Sequence, residues 1–178
     1  MMECFKERID LYCKKSNDRL LNIALVILSI LTILAFARLA LFESVLVVKT
    51  SMLPTINDGQ TVTILKTQNV QRGDIIVFND SSVYNEILIK RVIGVEGDTV
   101  SISEDGILHL TYAGKDGDTT HKAIKEKYIL NDKNIEIDSY TVPKGCLYVL
   151  GDNRILSYDS SEFGAIQRSS IIGKVIKK

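Results

Sequence analysis

Hydrophobic and polar positions divide this sequence into one long apolar segment near its start and many short apolar runs further on. Residues 20–37 contain no charged side chain and lie between Arg19 and Arg38. At about 1.5 Å per residue, a helix of this length approaches the roughly 30 Å thickness of a membrane's hydrocarbon core. The pattern therefore predicts a transmembrane helix, which we assign to residues 20–40.

A cleaved leader and a buried core helix are the two alternatives for this segment. The apolar run is longer than that of most cleaved leaders, and no convincing small-x-small cleavage site follows it. Basic residues crowd the side before the helix: Lys6, Arg8, Lys14, Lys15 and Arg19. Positive charge favours the cytoplasmic side of a membrane, so we predict that residues 1–19 are cytoplasmic and residues 41–178 are extracytoplasmic.

The distal segment is patterned as a mainly β domain. Short runs rich in β-branched and aliphatic residues occupy positions 44–48, 61–65, 74–78, 86–95, 98–102, 106–112, 135–137, 146–150 and 171–176. Turn-forming triplets separate them: N-D-G at 57–59, R-G-D at 72–74, E-G-D at 96–98, E-D-G at 104–106 and P-K-G at 143–145. Such a series predicts a β-sandwich or a partly open barrel. Residues 113–134 are polar and weakly periodic, and we predict a surface insertion there.

Composition and charge exclude some functions. The chain has 22 basic and 22 acidic residues, so no overall positive field indicates a nucleic-acid partner. Of its three cysteines only Cys146 follows the apolar segment, so the distal domain cannot form an internal disulfide. Its stability is therefore expected to come from packing.

Ser51 is the first candidate for chemistry, because it begins S-M-L-P-T shortly after an apolar run. Pro54 disfavours helix at Leu53, so the serine is predicted to lie on a turn at the end of a strand. An isolated serine in such a place is most often an ordinary turn residue. The two histidines, His109 and His121, are poorly placed in the pattern, which argues against a Ser/His/Asp triad.

Lys90 is the other candidate for a base. It interrupts the β-rich run E-I-L-I-K-R-V-I-G-V at 86–95, which has apolar residues on both faces. Burial disfavours the charged ammonium and allows a lysine to lose its proton near neutral pH. A lysine that protects an edge strand from aggregation is the competing interpretation, and spacing alone does not decide between the two. Arg91 is expected on the opposite face, in solvent or in a salt bridge.

Four segments together resemble the conserved boxes of type I signal peptidases. They are S-M-L-P-T at 51–55, R-G-D-I-I-V-F at 72–78, I-K-R-V-I-G-V-E-G-D-T-V at 89–100 and G-D-N-R-I-L-S-Y-D-S at 151–160. The boxes follow one apolar segment in the family's order, and the short length most resembles the Gram-positive branch. The resemblance implies a largely β catalytic domain in a single-pass protein of the bacterial cell membrane, with no metal or organic cofactor.

The resemblance also implies roles for individual residues. Ser51 would be the nucleophile and Lys90 the general base of a serine endopeptidase with a Ser/Lys dyad. The backbone N–H of Ser51 would be an oxyanion donor. Ser157 resembles the hydroxyl that orients the lysine amine, and the supporting loop would contain Asp152, Asn153, Asp159 and Ser160. The expected substrate-binding residues are Val47, Val48, Met52 and Pro54.

The implied partners are secretory precursors with small residues at the first and third positions before the cleaved bond, together with the phospholipid membrane. Residues 45–48 are expected to rest against the bilayer and to receive the end of a signal peptide as an added strand. No nucleic-acid partner is implied.

Three positions depart from the family's pattern. Lys49 stands where a small residue is usual, two positions before the nucleophile, and is expected to alter the oxyanion site. Ser161 replaces an arginine that would pair with Asp159, so Asp159 is expected to use another cation, Arg154 or Arg91, or the loop to be looser. Glu96 replaces a proline in a turn, a change expected to be tolerated at the surface.

These departures sustain an alternative of another class. A signal-peptidase-like protein could serve pilus assembly as a chaperone for pilin precursors, with little or no cleavage. A degenerate protein of that kind would be expected to lose the serine or the lysine, and both are retained. A self-cleaving Ser/Lys repressor is disfavoured by the apolar helix and by the lack of a recognisable DNA-binding segment.

Overall fold

A computed structural model describes residues 2–81, 86–103, 107–113, 118–124, 128–129 and 137–177 of the chain. The chain divides into two compact units, Met1–Leu41 and Phe42–Lys178. The first unit is a helix and the second contains all the described strands. The mainly β fold predicted for the distal segment is therefore confirmed.

Helix α1 runs without interruption from Met2 to Leu41. Its section Asp18–Leu41 has a mean hydropathy of 2.7 over its most apolar window and is long and apolar enough to cross a membrane. Two hydroxyls within it are satisfied by the helix itself: Ser29 Oγ donates to the Val26 carbonyl at 2.7 Å and Thr32 Oγ1 to the Ser29 carbonyl at 2.8 Å. A polar group that meets its own backbone needs no water, which suits an apolar environment.

Eleven strands and two short helical turns are described in the second unit. The strands are β1 Phe42–Leu46, β2 Thr61–Leu65, β3 Ile75–Phe78, β4 Leu88–Val95, β5 Thr99–Ile102, β6 Leu108–Ala113, β7 Thr119–Ile124, β8 Ile137–Thr141, β9 Cys146–Leu150, β10 Ile166–Gln167 and β11 Ile171–Lys177. Helix α2 is Ser160–Phe163, and a 3-10 turn follows at Arg168–Ser170.

These strands form two antiparallel sheets. Sheet A has the order β1-β2-β11-β3-β4-β9-β10, and sheet B has the order β7-β6-β5-β8. Among the described strands neither sheet closes into a barrel. Each predicted apolar run overlaps a strand, and positions 135 and 136 of the run at 135–137 lie outside the described residues. Four of the predicted turns carry a glycine at positive φ, while the turn at 104–106 lies outside the described residues.

The polar segment 113–134 contains regular structure that its sequence pattern did not indicate. Strand β7 pairs with β6 in continuous register from Leu108↔Ile124 to Ala113↔Thr119. Its side chains are exposed or half-buried, so no apolar alternation marks the strand. Backbone pairing with β6 satisfies its N–H and C=O groups instead. The rest of the segment is described only at Asp118, Tyr128 and Ile129.

Sheet A is buried on both faces where the chemistry is located. All four residues of β3 are buried. Ile76 and Phe78 belong to one apolar cluster, while Ile75 and Val77 belong to another. Successive side chains of a strand point to opposite faces, so the two clusters lie on the two sides of the sheet. A polar residue on the neighbouring strand β4 is therefore placed in a largely water-free environment.

Candidate active site

Ser51 lies in the connection between β1 and β2, in a series of tight turns. Val47 N donates to the Gln60 carbonyl and Gly59 N to the Val47 carbonyl, both at 2.9 Å, which closes the base of this connection. Within it, Leu53 N donates to the Thr50 carbonyl at 3.2 Å. The serine is 9% exposed. Its predicted position on a turn after a strand is confirmed.

Lys90 lies on β4 and reaches the serine. Its Nζ donates to Ser51 Oγ at 2.9 Å, and the lysine is only 3% exposed. Burial lowers the pKa of Lys90 from 10.5 to about 8; Asp159 opposes this shift, and the positive charge of Lys49 adds to it. An amine with this pKa is partly neutral at physiological pH and can then accept a proton from the hydroxyl.

The loop after β9 packs behind the serine. Asn153 N donates to the Ser51 carbonyl at 3.0 Å, and Asn153 Nδ2 to the Thr50 carbonyl at 3.3 Å. Ser160 Oγ accepts from Val149 N at 2.9 Å, which ties the far end of the loop to β9. Asn153 and Ser160 are both buried. Of the predicted supporting residues, Asn153 therefore bonds directly to the backbone that carries Ser51, while Ser160 fixes the loop to β9.

Asp152 and Arg91 form a buried ion pair. Arg91 Nε donates to Asp152 Oδ1 at 2.8 Å and Arg91 Nη2 to Asp152 Oδ2 at 2.6 Å. Arg91 also donates to the Gly73 carbonyl at 2.9 Å and lies 3.9 Å from the centre of the Tyr128 ring. The geometry is bidentate, the strong form of an arginine–carboxylate pair. Of the two cations considered for Asp159, Arg91 is therefore engaged with Asp152.

Asp159 accepts hydrogen bonds from Gly151 and from Ser161, the second position that departs from the family's pattern. Its Oδ2 accepts from Gly151 N at 2.9 Å, and its Oδ1 accepts from Ser161 Oγ at 2.9 Å and Ser161 N at 3.2 Å. The hydroxyl at 161 therefore donates to the carboxylate that an arginine was expected to contact. Asp159 also begins helix α2 as its N-cap, a favourable role for an aspartate.

Ser157 is buried close to this loop, but its contacts differ from those implied by the resemblance. Within the described part of the chain its Oγ has no hydrogen-bond partner, so the expected bond to Lys90 is not formed in this structure. Gly151 lies very close to both Ser157 and Ser51. A Cβ at Gly151 would lie 2.3 Å from Ser157 Oγ and 2.7 Å from the Ser51 carbonyl oxygen. Only a glycine at position 151 can therefore lie this close to Ser51 and Ser157.

A groove of about 660 Å³ opens beside Ser51 and Lys90. Its lining is mostly apolar: Val45, Leu46, Val47, Val48, Lys49, Ser51, Val77, Glu86, Ile87, Leu88, Ile89, Lys90, Leu156 and Tyr158. Of the four expected substrate-binding residues, Val47 and Val48 line this groove. The structure does not place Met52 or Pro54 in it, because Met52 is completely buried in a core cluster and Pro54 is exposed on the turn.

The sequence did not indicate several groove residues. Glu86 belongs to the predicted run 86–95, but in the structure it precedes β4. Its charged side chain lines the groove. Leu156 and Tyr158 lie within the last of the four boxes, and their exposed fractions are 63% and 49%. Large apolar residues inside a box of Asp, Asn, Arg and Ser are a signal that could have identified them.

Lys49, the first departure, has an unusual backbone. Its φ is 95°, a region that favours glycine, and its N–H donates to Asp58 Oδ1 at 2.8 Å. Such a conformation costs on the order of 1–3 kcal/mol in a residue with a side chain. Lys49 Nζ lies 2.7 Å from Glu86 Oε2, but their side chains are 60% and 53% exposed. An exposed pair contributes about 0.2–1 kcal/mol, which does not offset the backbone cost.

The other candidate groups lie elsewhere. His109 and His121 are exposed on sheet B, where they hydrogen-bond to the hydroxyls of Ser103 and Thr111. Among the described residues, His, Cys, Asp and Glu form no cluster that could hold a metal ion. Glu96, the third departure, is exposed and accepts from Gly145 N at 2.9 Å, which links two turns.

A buried lysine that contacts a serine hydroxyl beside an apolar groove is characteristic of serine hydrolases that use lysine in place of histidine. The family model described as signal peptidase, peptidase S26, matches residues 20–177. The chain therefore belongs to the signal peptidase family, peptidase S26. The expectation of a serine endopeptidase of this family is confirmed.

Two relatives agree with the family match by sequence. Signal peptidase I of Bacillus caldolyticus is 34% identical over 154 residues, covering 80% of this chain and 82% of that protein. Signal peptidase IB of Staphylococcus aureus strain Mu50 is 35% identical over 140 residues, covering 70% and 71%. A crystal structure of a signal peptidase I from Enterococcus faecalis V583 is 30% identical, covers 61% of this chain and 97% of that chain, and has a TM-score of 0.46.

Proposed function

We propose that this chain removes signal peptides from secretory precursors, with Ser51 as nucleophile and Lys90 as general base. The observation that carries the proposal is the 2.9 Å contact between Lys90 Nζ and Ser51 Oγ in a buried site. The lowered pKa of Lys90, about 8, supports it because only the neutral amine can accept the hydroxyl proton.

The reaction follows from this contact. Neutral Lys90 takes the proton of Ser51 Oγ as the oxygen bonds to the scissile carbonyl carbon, and the carbonyl oxygen becomes an oxyanion. The backbone N–H of Ser51 is our proposed donor to that oxyanion. As the intermediate collapses, Lys90 returns the proton to the leaving amine and Ser51 remains acylated. Lys90 then takes a proton from a water as the water oxygen bonds to the acyl carbon. As the bond to Ser51 Oγ breaks, Lys90 returns that proton to Oγ, and the signal peptide leaves with a new carboxyl group.

The remaining predicted site residues hold Ser51 and Lys90 in position. Asn153 fixes the backbone of Thr50 and Ser51, and Asp159 fixes Gly151, whose backbone passes against the Ser51 carbonyl. Asp152 neutralises Arg91, the residue next to Lys90. Ser157 is assigned the orientation of the lysine amine, which in this structure requires rotation or movement of its hydroxyl. Ser160 anchors the loop to β9.

The groove suits an extended peptide. Strand β3 pairs with Leu88–Arg91 of β4, whereas β9 pairs with β4 only from Arg91 onward. Among the described strands, none pairs with Leu88–Lys90 on the side facing away from β3. A precursor segment can therefore add there as a strand and place its carbonyl at Ser51, with Val47 and Val48 on the facing wall. Small residues at the first and third positions before the cut are the expected specificity.

Membrane attachment is the second part of the proposal. Section Asp18–Leu41 of α1 spans the membrane as a single pass, with the N-terminus in the cytoplasm and the β domain outside. Exposed apolar side chains around the groove are suited to contact lipid: Leu46, Val48, Ile87, Ile155, Leu156 and Tyr158. Enzyme and precursor would then meet in one interface, which raises their effective concentration.

The test uses the full chain in detergent with a secretory precursor whose signal peptide ends in small residues. We expect one cut at that site by wild type and by Ser103→Ala, a serine control directly after β5, and none above background by Ser51→Ala. Equal product from wild type and Ser51→Ala would contradict the proposal. Binding of pilin precursors without cleavage would favour the chaperone alternative, which no observation on the described residues or named relatives supports at present.

A further inference from the structure

Lys49 occupies a backbone conformation that a glycine would adopt more easily. Its φ of 95° lies in the left-handed region, and the bond from its N–H to Asp58 helps to impose that conformation. The exposed ion pair with Glu86 contributes less than the backbone costs, so the pair alone does not explain why a lysine stands here. An outlier of this kind beside reacting groups indicates a role in function.

The place of the ion pair suggests that role. Lys49 belongs to the segment that leads into Ser51, and Glu86 to the segment that leads into β4, and both residues line the groove. Their contact of 2.7 Å therefore joins two parts of the groove wall. Any peptide chain that occupies the groove beside Ser51 must pass these two charges.

The groove offers few other charges to a bound peptide. Among the lining residues that the structure describes, only Lys49, Glu86 and Lys90 are charged. Lys90 is buried and bonded to Ser51, so it does not serve as a permanent cation. Asp159 and Lys49 have opposite electrostatic effects on the pKa of Lys90, and Arg91 is paired with Asp152. Lys49 is therefore the exposed cation that a substrate side chain meets next to the nucleophile.

We propose that Lys49 is a specificity-determining residue that binds an acidic side chain of the precursor close to the cleaved bond. Glu86 is its partner while the groove is empty, and the substrate carboxylate takes the place of Glu86 when the peptide binds. The inference rests on the proposed function, because it assumes that precursors occupy this groove. An acidic rather than a basic side chain is favoured because the strained backbone belongs to Lys49 and not to Glu86.

The test measures binding, so that it does not depend on cleavage. Full-length Ser51→Ala protein in detergent is titrated with matched precursor peptides that carry Glu or Gln at one position: the second before the cut, or the first, second or third after it. We expect at least one Glu peptide to bind about threefold tighter than its Gln partner, the size of an exposed ion pair. Adding Glu86→Gln should raise this ratio, because it removes the competing carboxylate.

Two variants at position 49 and one control complete the design. Lys49→Met and Lys49→Gly, each in the Ser51→Ala background, should bring the Glu/Gln ratio to about one, and the glycine also relieves the backbone. Lys66→Met is the control, since Lys66 forms a similar exposed pair with Glu43 at 3.0 Å and does not line the groove. It should leave the ratio unchanged.

Two results would overturn the inference. One is a Glu/Gln ratio that is the same in Lys49→Met, Lys49→Gly and Lys66→Met. The other is tighter binding of lysine-bearing peptides that depends on Glu86. A wild-type enzyme that binds the Glu peptide through Lys49 but cleaves none of the peptides would contradict the proposed function and leave this inference standing.

Discussion

Polar residues are buried at the active-site end of sheet A and exposed on sheet B. On β4 of sheet A and in the loop that follows β9, Lys90, Arg91, Asp152 and Asp159 are between 1% and 8% exposed. On sheet B the polar side chains, such as His109, face solvent and bond to neighbouring hydroxyls. Burying a charge is unfavourable unless a partner compensates. The buried charges at sheet A therefore require an explanation, whereas the exposed polar residues of sheet B do not.

The difference shows where function is located in this fold. In sheet A each buried charge has a specific consequence: Lys90 contacts Ser51, Asp152 contacts Arg91, and Asp159 fixes Gly151. Sheet B packs apolar residues inward, and the buried carboxylate beside it, Asp98, pairs with the partly exposed Arg72 rather than with a group at Ser51. We infer that sheet B supports the fold, while sheet A and its loop carry the chemistry.

The largest expected effect comes from removing the base. Lys90→Ala should lower kcat for precursor cleavage by about 1,000-fold, because a positioned general base contributes on the order of 100- to 10,000-fold. Lys90→Arg should not restore activity, since a guanidinium stays protonated. Single-turnover cleavage with purified protein measures both.

The matching change in sheet B is the double variant His109→Ala and His121→Ala. It should retain wild-type activity within about twofold, since neither ring lies near Ser51. A large loss in the histidine variant, with normal activity in Lys90→Ala, would reverse the roles that we assign to the two sheets.

The second prediction compares two buried carboxylates. Asp152→Asn should destabilise the protein by about 3 kcal/mol, because it leaves Arg91 buried without its counter-charge. Asp98→Asn, just before β5 of sheet B, should cost about 1 kcal/mol, because its partner Arg72 is 37% exposed and can be solvated. Chemical denaturation of both variants measures the difference. Equal losses would show that burial of the cation does not set the cost.

The third prediction compares two glycines. Gly151→Ala should reduce kcat/KM by about 100-fold, because its Cβ would displace the Ser51 backbone or Ser157, and small misplacements near reacting atoms are costly. Gly94→Ala places its Cβ 3.0 Å from a methyl of Val100 and should cost about 1–3 kcal/mol of stability instead. Activity per folded molecule should be kept in Gly94→Ala; an equal loss in both variants would contradict this separation.

The smallest expected effect is a shift in the pKa of Lys90. Asp159 raises the pKa of Lys90, opposing the effect of burial. Asp159→Asn should therefore lower that pKa and move the rise of activity to lower pH, while Asp98→Asn should not move it. The pH dependence of kcat/KM in both variants provides the measurement. A shift to higher pH in Asp159→Asn would show that Asp159 does not act on Lys90 through its charge.

Much of the fold was predictable because its signals are local. Strand β2 occupies the predicted run 61–65, and turns with glycine separate the strands, since both depend on neighbouring residues alone. Strand β7 was missed because its residues are exposed, and pairing with β6 rather than an apolar pattern defines it. The structure also gives two open sheets, a distinction that strand patterns cannot make.

The site was predictable in part for the same reason. The local pattern made Ser51, on a predicted turn, and Lys90, in an apolar strand, candidates, but only the resemblance assigned them their roles. The partner of Arg91 depends on the register between β4 and β9, which sets Arg91 opposite Leu150 and brings Asp152 close. The Lys49–Glu86 pair likewise depends on how distant segments meet, as does the Ser157 hydroxyl, which has no hydrogen-bond partner among the described residues.

The central claim is that a neutral Lys90 accepts the proton of Ser51, and the pH dependence of kcat/KM for precursor cleavage tests it most directly. The account predicts that activity rises with pH through an apparent pKa of about 8, because the amine must lose its proton. A profile that does not change with pH, or one that rises near pH 6.5 as histidine would require, would contradict it.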